Sequence, residues 1–300
     1  MNSPTRHILV ITLSNIGDAI MTTPVLEALH RRYPQAVIDL VADRRSSEVF
    51  THCPYRGRVV FKEKRAGWRG TLKLVRELRR MRYDLIVDLR TDGLAYLLRA
   101  RRRLTKWRCR PRGPHAVERH MGVIAALGVI DIPPTRIWLT PELEREAAQR
   151  LRPLPGGRWL ALGPGANWAP KIWPAERFRA LIAQLSDAFD GIILLGGPGD
   201  AERCREVARD CPLPCIDLAG HTALLEAAAV LARATVFVGN DSGLGHLAAA
   251  AGTPTLTLFG PGEPQRYHPW GPRARWLTSP ENDLHRLSAE TVAAEVRALT

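Results

Sequence analysis

Unbroken apolar runs alternate with amphipathic stretches along most of this chain. His7-Ile-Leu-Val-Ile-Thr-Leu13 reads as a central parallel strand, apolar toward both faces, and Val37 to Val41 repeats the pattern. Between them Ile20, Pro24, Val25 and Leu29 recur at helical spacing until Tyr33-Pro34 stops the helix. Trp68 to Arg82 predicts a basic helix with apolar positions at Leu72, Val75, Leu78 and Met81, followed by a strand from Asp84 to Leu89. His115 opens a further helix through Leu127. The pattern then loosens between Asp131 and Pro155, where five prolines flank one short helix from Glu142 to Leu151, as an interdomain linker would. Alternation restarts with strands at Arg158 to Gly163, Ile192 to Leu195, Val236 to Val238 and Thr255 to Phe259, and a last helix runs from Ser288 to Leu299. The expectation is an α/β protein of two doubly wound, Rossmann-like parallel-sheet domains, residues 1–152 and 153–300, with the final helix able to pack back on the first.

Composition narrows the function. A chain of 300 residues has room for two ordinary domains, and no apolar run in it approaches the length of a membrane span. The run from Ile8 to Ile20 is broken by Asn15 and Asp18 and has no cleavage pattern, so it does not read as a signal peptide. Five scattered cysteines point to a reducing, cytoplasmic setting, and Cys204, Cys211 and Cys215 lack the paired spacing of a zinc site. Charge is divided unevenly. Residues 1–150 carry 29 Lys and Arg against 15 Asp and Glu, while residues 151–300 carry 14 against 15. A basic first half implies an anionic partner. Its densest block, residues 99–112, holds eight basic residues and no acidic one, either as a solvated face or as a surface turned to a membrane. Trp107 is the block's sole aromatic and no nucleic-acid motif frames it, which argues against a nucleic-acid partner.

Three loops carry candidate chemistry. Val236-Phe-Val-Gly-Asn-Asp-Ser-Gly-Leu-Gly-His-Leu-Ala-Ala-Ala-Ala-Gly-Thr-Pro254 predicts a strand, a turn and an Ala-rich helix ended by Gly252. A helix starting just beyond a strand's carboxyl end aims free N–H groups into a crevice, where they suit phosphate. Asp241 or Ser242 would cap that helix. Asp18 starts a helix beyond the first strand, as a ligand-contacting group or as a cap. Its loop holds only Gly17 where a dinucleotide fingerprint needs three glycines, which weakens an oxidoreductase reading. Lys171 stands in a loop just before a helix with Pro174 in its first turn.

These segments also resemble a known family. Asp-Ser-Gly-x-x-His-x-Ala-Ala-x-x-Gly-x-Pro, from Asp241 to Pro254, resembles the donor-site signature of the heptosyltransferase group of glycosyltransferases, glycosyltransferase family 9. Ser14-Asn-Ile-Gly-Asp-Ala-Ile-x-Thr-Thr-Pro-Val-Leu26 is similar to that family's N-terminal motif. So are His115-Ala-Val-Glu-Arg119, Lys171-Ile-Trp-Pro174, Gly196-Gly-Pro-Gly-Asp-Ala-Glu202 and Gly220-His-Thr-Ala-Leu-Leu-Glu226, all in the family's order. Asn15 departs from the family's hydroxyl residue, and Asn167 and Trp168 stand where hydroxyl residues are frequent.

The resemblance implies the GT-B fold, with an acceptor domain first and a nucleotide-sugar domain second, facing across a cleft. It implies an inverting transfer of heptose from ADP-heptose to an acidic glycolipid such as the lipopolysaccharide inner core. Asp18 would be the catalytic base and Lys171 would meet the donor's diphosphate. Ser14, Gly17, Asn167, Asp241, Ser242, Gly243 and His246 would contact the donor, and Glu202 the ribose with Asp200 as fallback. Arg119 would hold the acceptor unless it forms a helix-surface ion pair with Glu118. No Asp-x-Asp pair accompanies the motifs, so no metal or other cofactor is expected: the helix end and Lys171 take that role. The implied setting is cytoplasmic, with a peripheral contact at the inner face of the inner membrane. The same fold with another nucleotide sugar or a protein acceptor stays open, as does a non-transferase nucleotide-binding protein.

Overall fold

The computed structural model describes residues 5–62, 67–90, 92–109 and 112–300. The chain divides into two compact units, Met1–Trp138 and Leu139–Thr300. The first unit runs β1 (His7–Ile11), α1 (Ile16–Ile20), α2 (Thr23–Arg32), β2 (Val37–Ala42), α3 (Arg44–Ser47), β3 (Arg56–Phe61), α4 (Gly67–Leu78), β4 (Tyr83–Asp88), α5 (Leu94–Leu97), β5 (Ala100–Thr105) and α6 (Ala116–Val123). Its strands form one parallel sheet in the order β3-β2-β1-β4-β5. The chain winds outward from β1 to β3 and returns to β4 on the other side of β1, so the order reverses between β1 and β4. Loops beyond the carboxyl ends of those two strands therefore diverge and leave a crevice. Leu9, Ile11 and Val41 of the sheet share a core with Leu74, Val75 and Leu78 of α4 and with Leu94, Ala95 and Leu98 around α5.

The basic block at 99–112 turns out to be an edge strand and the turn after it, with Arg110 and Pro111 outside the described residues. Several of its arginines stitch the unit together. Arg101 pairs with Asp84 at 3.6 Å, Arg102 donates to Ala126 O at 3.1 Å, and Arg103 donates to Ala95 O at 2.9 Å and Leu98 O at 2.5 Å. Arg112 donates to the carbonyls of Val129 and Ile130. An edge strand so loaded with charge is also a poor template for strand addition.

The second unit runs α7 (Pro141–Arg150), β6 (Trp159–Gly163), α8 (Ala175–Gln184), β7 (Gly191–Leu194), α9 (Ala201–Ala208), β8 (Cys215–Asp217), α10 (Leu224–Leu231), β9 (Val236–Asn240), α11 (Gly243–Ala250), β10 (Thr255–Phe259), α12 (Pro264–Tyr267), β11 (Ala274–Thr278) and α13 (Ala289–Arg297). All strands are parallel, in the order β11-β10-β9-β6-β7-β8, and here the reversal falls between β6 and β9. At the carboxyl ends of that pair Gly163 and Gly239 are register partners. A Cβ on either would lie 2.7 Å or less from the Phe237 ring, so the two strands close only with glycine at both positions.

The Pro-rich stretch contains the join between the units: Pro133 and Pro134 fall in the first, and Pro141, Pro153 and Pro155 in the second. α7 packs on α10, and Arg150 reaches Glu226 at 3.0 Å, so the division falls between Trp138 and Leu139 and not at residue 152. The last helix packs within the same unit: Val292, Ala293 and Val296 share one core with Trp173, Phe178, Leu181 and Ile182. No helix of the described residues is long and apolar enough to cross a membrane.

Trp173 anchors this core. It is fully buried, sits edge-on to Phe178 with ring centroids 4.8 Å apart, and donates its indole N–H to Leu287 O at 3.0 Å. Trp173→Ala is expected to cost about 3–5 kcal/mol of unfolding free energy by denaturant titration, because the hole cannot collapse between sheet and helices.

Candidate active site

The loops at the β6/β9 reversal are held by one buried amide. Asn240, at the last position of β9, has no exposed surface. Its Oδ1 accepts from Trp173 N at 3.0 Å and its Nδ2 donates to Pro164 O at 2.8 Å, which fixes both ends of the loop after β6 against β9. Lys171 lies in the single 3-10 turn Ala169–Lys171 of that loop. Its Nζ donates to Asp241 Oδ2 at 2.5 Å, with the lysine and aspartate side chains 25% and 13% exposed. The lysine found from sequence is thus brought beside the Asp241 turn and the start of α11.

Ser242 occupies the N-cap of α11 with extended backbone, yet its side chain makes no capping bond. Its Oγ is buried and has no partner among the described residues, so a buried hydroxyl and the first N–H groups of an eight-residue helix lie at the same end. Gly243 opens the helix, and His246 is buried one turn in. Asn167 is exposed in the loop after β6. After β7, Asp200 is committed to its own turn, accepting from Gly197 N at 2.9 Å. Glu202, in the first turn of α9, is exposed and has no hydrogen-bond partner among the described residues. Of the two carboxylates, Glu202 is the one left for a ligand.

The β1/β4 reversal of the first unit holds Asp18. This residue lies in α1, whose N-cap Asn15 makes no capping bond. Instead Asn15 Nδ2 donates to Asp18 Oδ2 at 2.9 Å, orienting the carboxylate and leaving Oδ1 with no partner among the described residues. Asp18 therefore does not serve as the cap. Gly17 sits between them in α1. Ser14 Oγ accepts from Arg90 Nη2 at 2.6 Å. Arg90, just beyond β4, also approaches Asp92 at 3.3 Å, and Asp92 in turn pairs with Lys62 beyond β3. Asn15, Arg90 and Asn240 were not singled out by sequence. Asn15 had a signal in its spacing of three residues from Asp18, and Asn240 in being an amide at the end of an apolar strand.

On α6, Glu118 and Arg119 do not pair. Glu118 Oε2 accepts from His115 N at 2.9 Å while His115 Nδ1 accepts from Val117 N at 3.1 Å, a reciprocal cap in which histidine takes the usual serine's place. Arg119 Nε is buried with no acceptor among the described residues.

The family model described as glycosyltransferase family 9 (heptosyltransferase) matches residues 92–296. Lipopolysaccharide heptosyltransferase 3 of Escherichia coli is 28% identical over 85% of this chain and 82% of its own length. Lipopolysaccharide heptosyltransferase 1 of Pseudomonas aeruginosa is 31% identical over 86% and 79%. The solved structure of an Escherichia coli protein described as ADP-heptose LPS heptosyltransferase II shares the fold, with a TM-score of 0.80 over 98% of each chain at 24% identity.

His120, next to Arg119, is buried and its Nδ1 has no partner among the described residues. Burial pushes its pKa down from 6.5 to about 3. Between those values the unfolded chain binds the proton and the folded one does not. The stability tied to neutral His120 is therefore complete above the unfolded pKa and is lost as pH falls toward the folded one. We expect a slope of up to about 1.4 kcal/mol per pH unit over this window. Urea unfolding of wild type and His120→Met across it checks this: the variant's slope should be shallower, and equal slopes would exclude His120 as the source.

Proposed function

The chain belongs to glycosyltransferase family 9, the heptosyltransferases, and from that premise we propose that it transfers heptose from ADP-heptose to an acidic glycolipid such as the lipopolysaccharide inner core. The first unit takes the acceptor and the second the nucleotide sugar. The single observation that carries the donor assignment is Lys171 beside the start of α11, where Ser242 adds a buried, unpartnered hydroxyl. Two of the relatives compared above are named for lipopolysaccharide, and the solved one is named for ADP-heptose and LPS. A basic first unit suits an acceptor dense in carboxylate and phosphate. In this reading the enzyme works in the cytoplasm, at the inner face of the inner membrane.

The chemistry is one displacement at the anomeric carbon. An acceptor hydroxyl gives its proton to Asp18 Oδ1 while its oxygen bonds that carbon, and the bond to the diphosphate oxygen breaks on the opposite face, inverting the centre. Asn15 keeps Asp18 turned toward the hydroxyl by holding Oδ2. The charge that gathers on the departing ADP falls to Lys171 and to the N–H groups of Gly243 and its neighbours. Those groups do what a divalent cation does in other glycosyl transfers, so no cofactor is required. Asp241 aims the lysine, Asn167 and His246 line the donor side, and Glu202 accepts from the ribose hydroxyls. Ser14 and Gly17 shape the loop that carries the base, and Arg119 pairs with an acidic group of the acceptor.

Two measurements test this. Calorimetry with ADP, UDP, GDP, CMP and NAD should show selective ADP binding, weakened roughly tenfold or more in Lys171→Ala by loss of a charged phosphate contact. Preference for UDP or GDP would change the sugar donor, and binding of NAD alone would sink the transferase. Asp18→Ala should lower turnover by about 10²–10⁴ with ADP affinity intact. Wild-type turnover in that variant would remove Asp18 as the base.

A further inference from the structure

Among the described residues of the first unit, Val37, Phe61 and Ile130 are exposed singly, while Trp68, Leu72, Tyr96, Leu97 and Trp107 lie on or beside α4 and α5. α4 buries Leu74, Val75 and Leu78 and turns the opposite face to solvent. Trp68, in the first turn and seven residues before Val75, stands at the edge of that face and is 72% exposed, and Leu72, one turn on, is 40% exposed. Together with Arg69, Lys73, Arg76 and Arg80 they line a shallow groove. From Gly67 to Arg82 there are six basic residues and a single acid, Glu77. α5 packs into the same core as α4 and exposes Tyr96 and Leu97, at 42% and 51%. Trp107, 62% exposed just after β5, stacks on Tyr96 with centroids 5.8 Å apart.

Direction matters as much as composition. A helix that links parallel strands runs antiparallel to them, so Trp68 in the first turn of α4 lies toward the carboxyl edge of the sheet. Trp107, following β5, lies toward that edge as well, and so does the loop that bears Asp18.

We propose that this face, the solvent side of α4 with Tyr96, Leu97 and Trp107 beside it, docks the enzyme on an anionic lipid bilayer. Indole and phenol rings settle at the headgroup level, where an apolar body meets a wet rim, and lysine and arginine around them draw anionic headgroups. A protein partner would favour an apolar centre depleted of charge, whereas basic side chains flank Trp68 and Leu72 directly. A nucleic acid would need open ring faces for its bases, but Arg69 lies over the Trp68 ring at 5.5 Å and Tyr96 covers Trp107. The arginines of β5, engaged with carbonyls and Asp84, contribute less to this surface than the sequence suggests. Docked here, the edge that bears Asp18 meets a lipid-borne acceptor without extracting it. The inference rests on that glycolipid reading for its purpose, although binding itself is measured without substrate.

Cosedimentation of the full chain with vesicles tests it. Wild type should bind phosphatidylcholine mixed with phosphatidylglycerol, release in high salt, and ignore phosphatidylcholine alone. Trp68→Ala with Leu72→Ala, and Lys73→Glu with Arg76→Glu, should each weaken binding by about tenfold or more. Both pairs should keep the ADP affinity of wild type and its turnover on a lipid-free acceptor. Wild-type vesicle binding in both pairs would overturn the proposal, as would equal binding to neutral vesicles. So would polyuridylate binding that is lost in these variants when vesicle binding is not. Failure of the donor reading would appear separately, as loss of ADP selectivity with vesicle binding unchanged.

Discussion

One buried amide holds together everything the second unit offers a ligand. Asn240 ends β9 with no access to water, and each end of its side chain is bonded to the backbone of the loop after β6. Removing it would strand Trp173 N inside the protein, at a cost of about 1–3 kcal/mol. The larger effect is geometric, since Lys171 lies two residues before Trp173 and Asp241 one residue after Asn240. That clamp exists only because the strand order reverses between β6 and β9, which makes neighbours of two loops seventy residues apart. Gly163 and Gly239 let the reversal close.

The first unit has the same topology with different chemistry. Its reversal point presents a carboxylate held by an amide, Asp18 with Asn15, in place of a lysine held by a carboxylate. Arg90 joins the two strands across the reversal through Ser14, and Asp92 links it to Lys62. A basic unit thus holds an oriented carboxylate at its reversal, while a near-neutral unit holds one lysine paired with a carboxylate.

Much of this was legible in the residues, and the reasons for the misses are specific. Near-continuous apolar runs identified β1, β6, β9 and β10 because both faces of those strands are covered by helices. The Pro-rich stretch marked where the units join, but the unit that holds α7 was not legible, because its packing on α10, far along the chain, assigns it. Glu118 looked like an ion-pair partner but caps α6, a choice set by the extended backbone of His115. The arginines of 99–112 looked like a free positive surface, yet Arg102, Arg103 and Arg112 donate to carbonyls at α5 and in the stretch 126–130, which only the fold brings within reach. Arg90 and Asn240 share one difficulty: their importance comes from which loops the topology brings together, whereas Asn15 acts on Asp18 within one turn.

In the proposed donor role, the Lys171–Asp241 pair would make binding an exchange of counterions. The lysine is already neutralised by a built-in anion, so an incoming ligand gains only what it offers beyond a carboxylate. Chloride or a monovalent phosphate ester brings little more than Asp241 does. A diphosphate brings several oxygens that can engage the lysine and the start of α11 together, and it can displace the aspartate. In that role the pair would set a threshold on ligand charge while keeping the lysine in place.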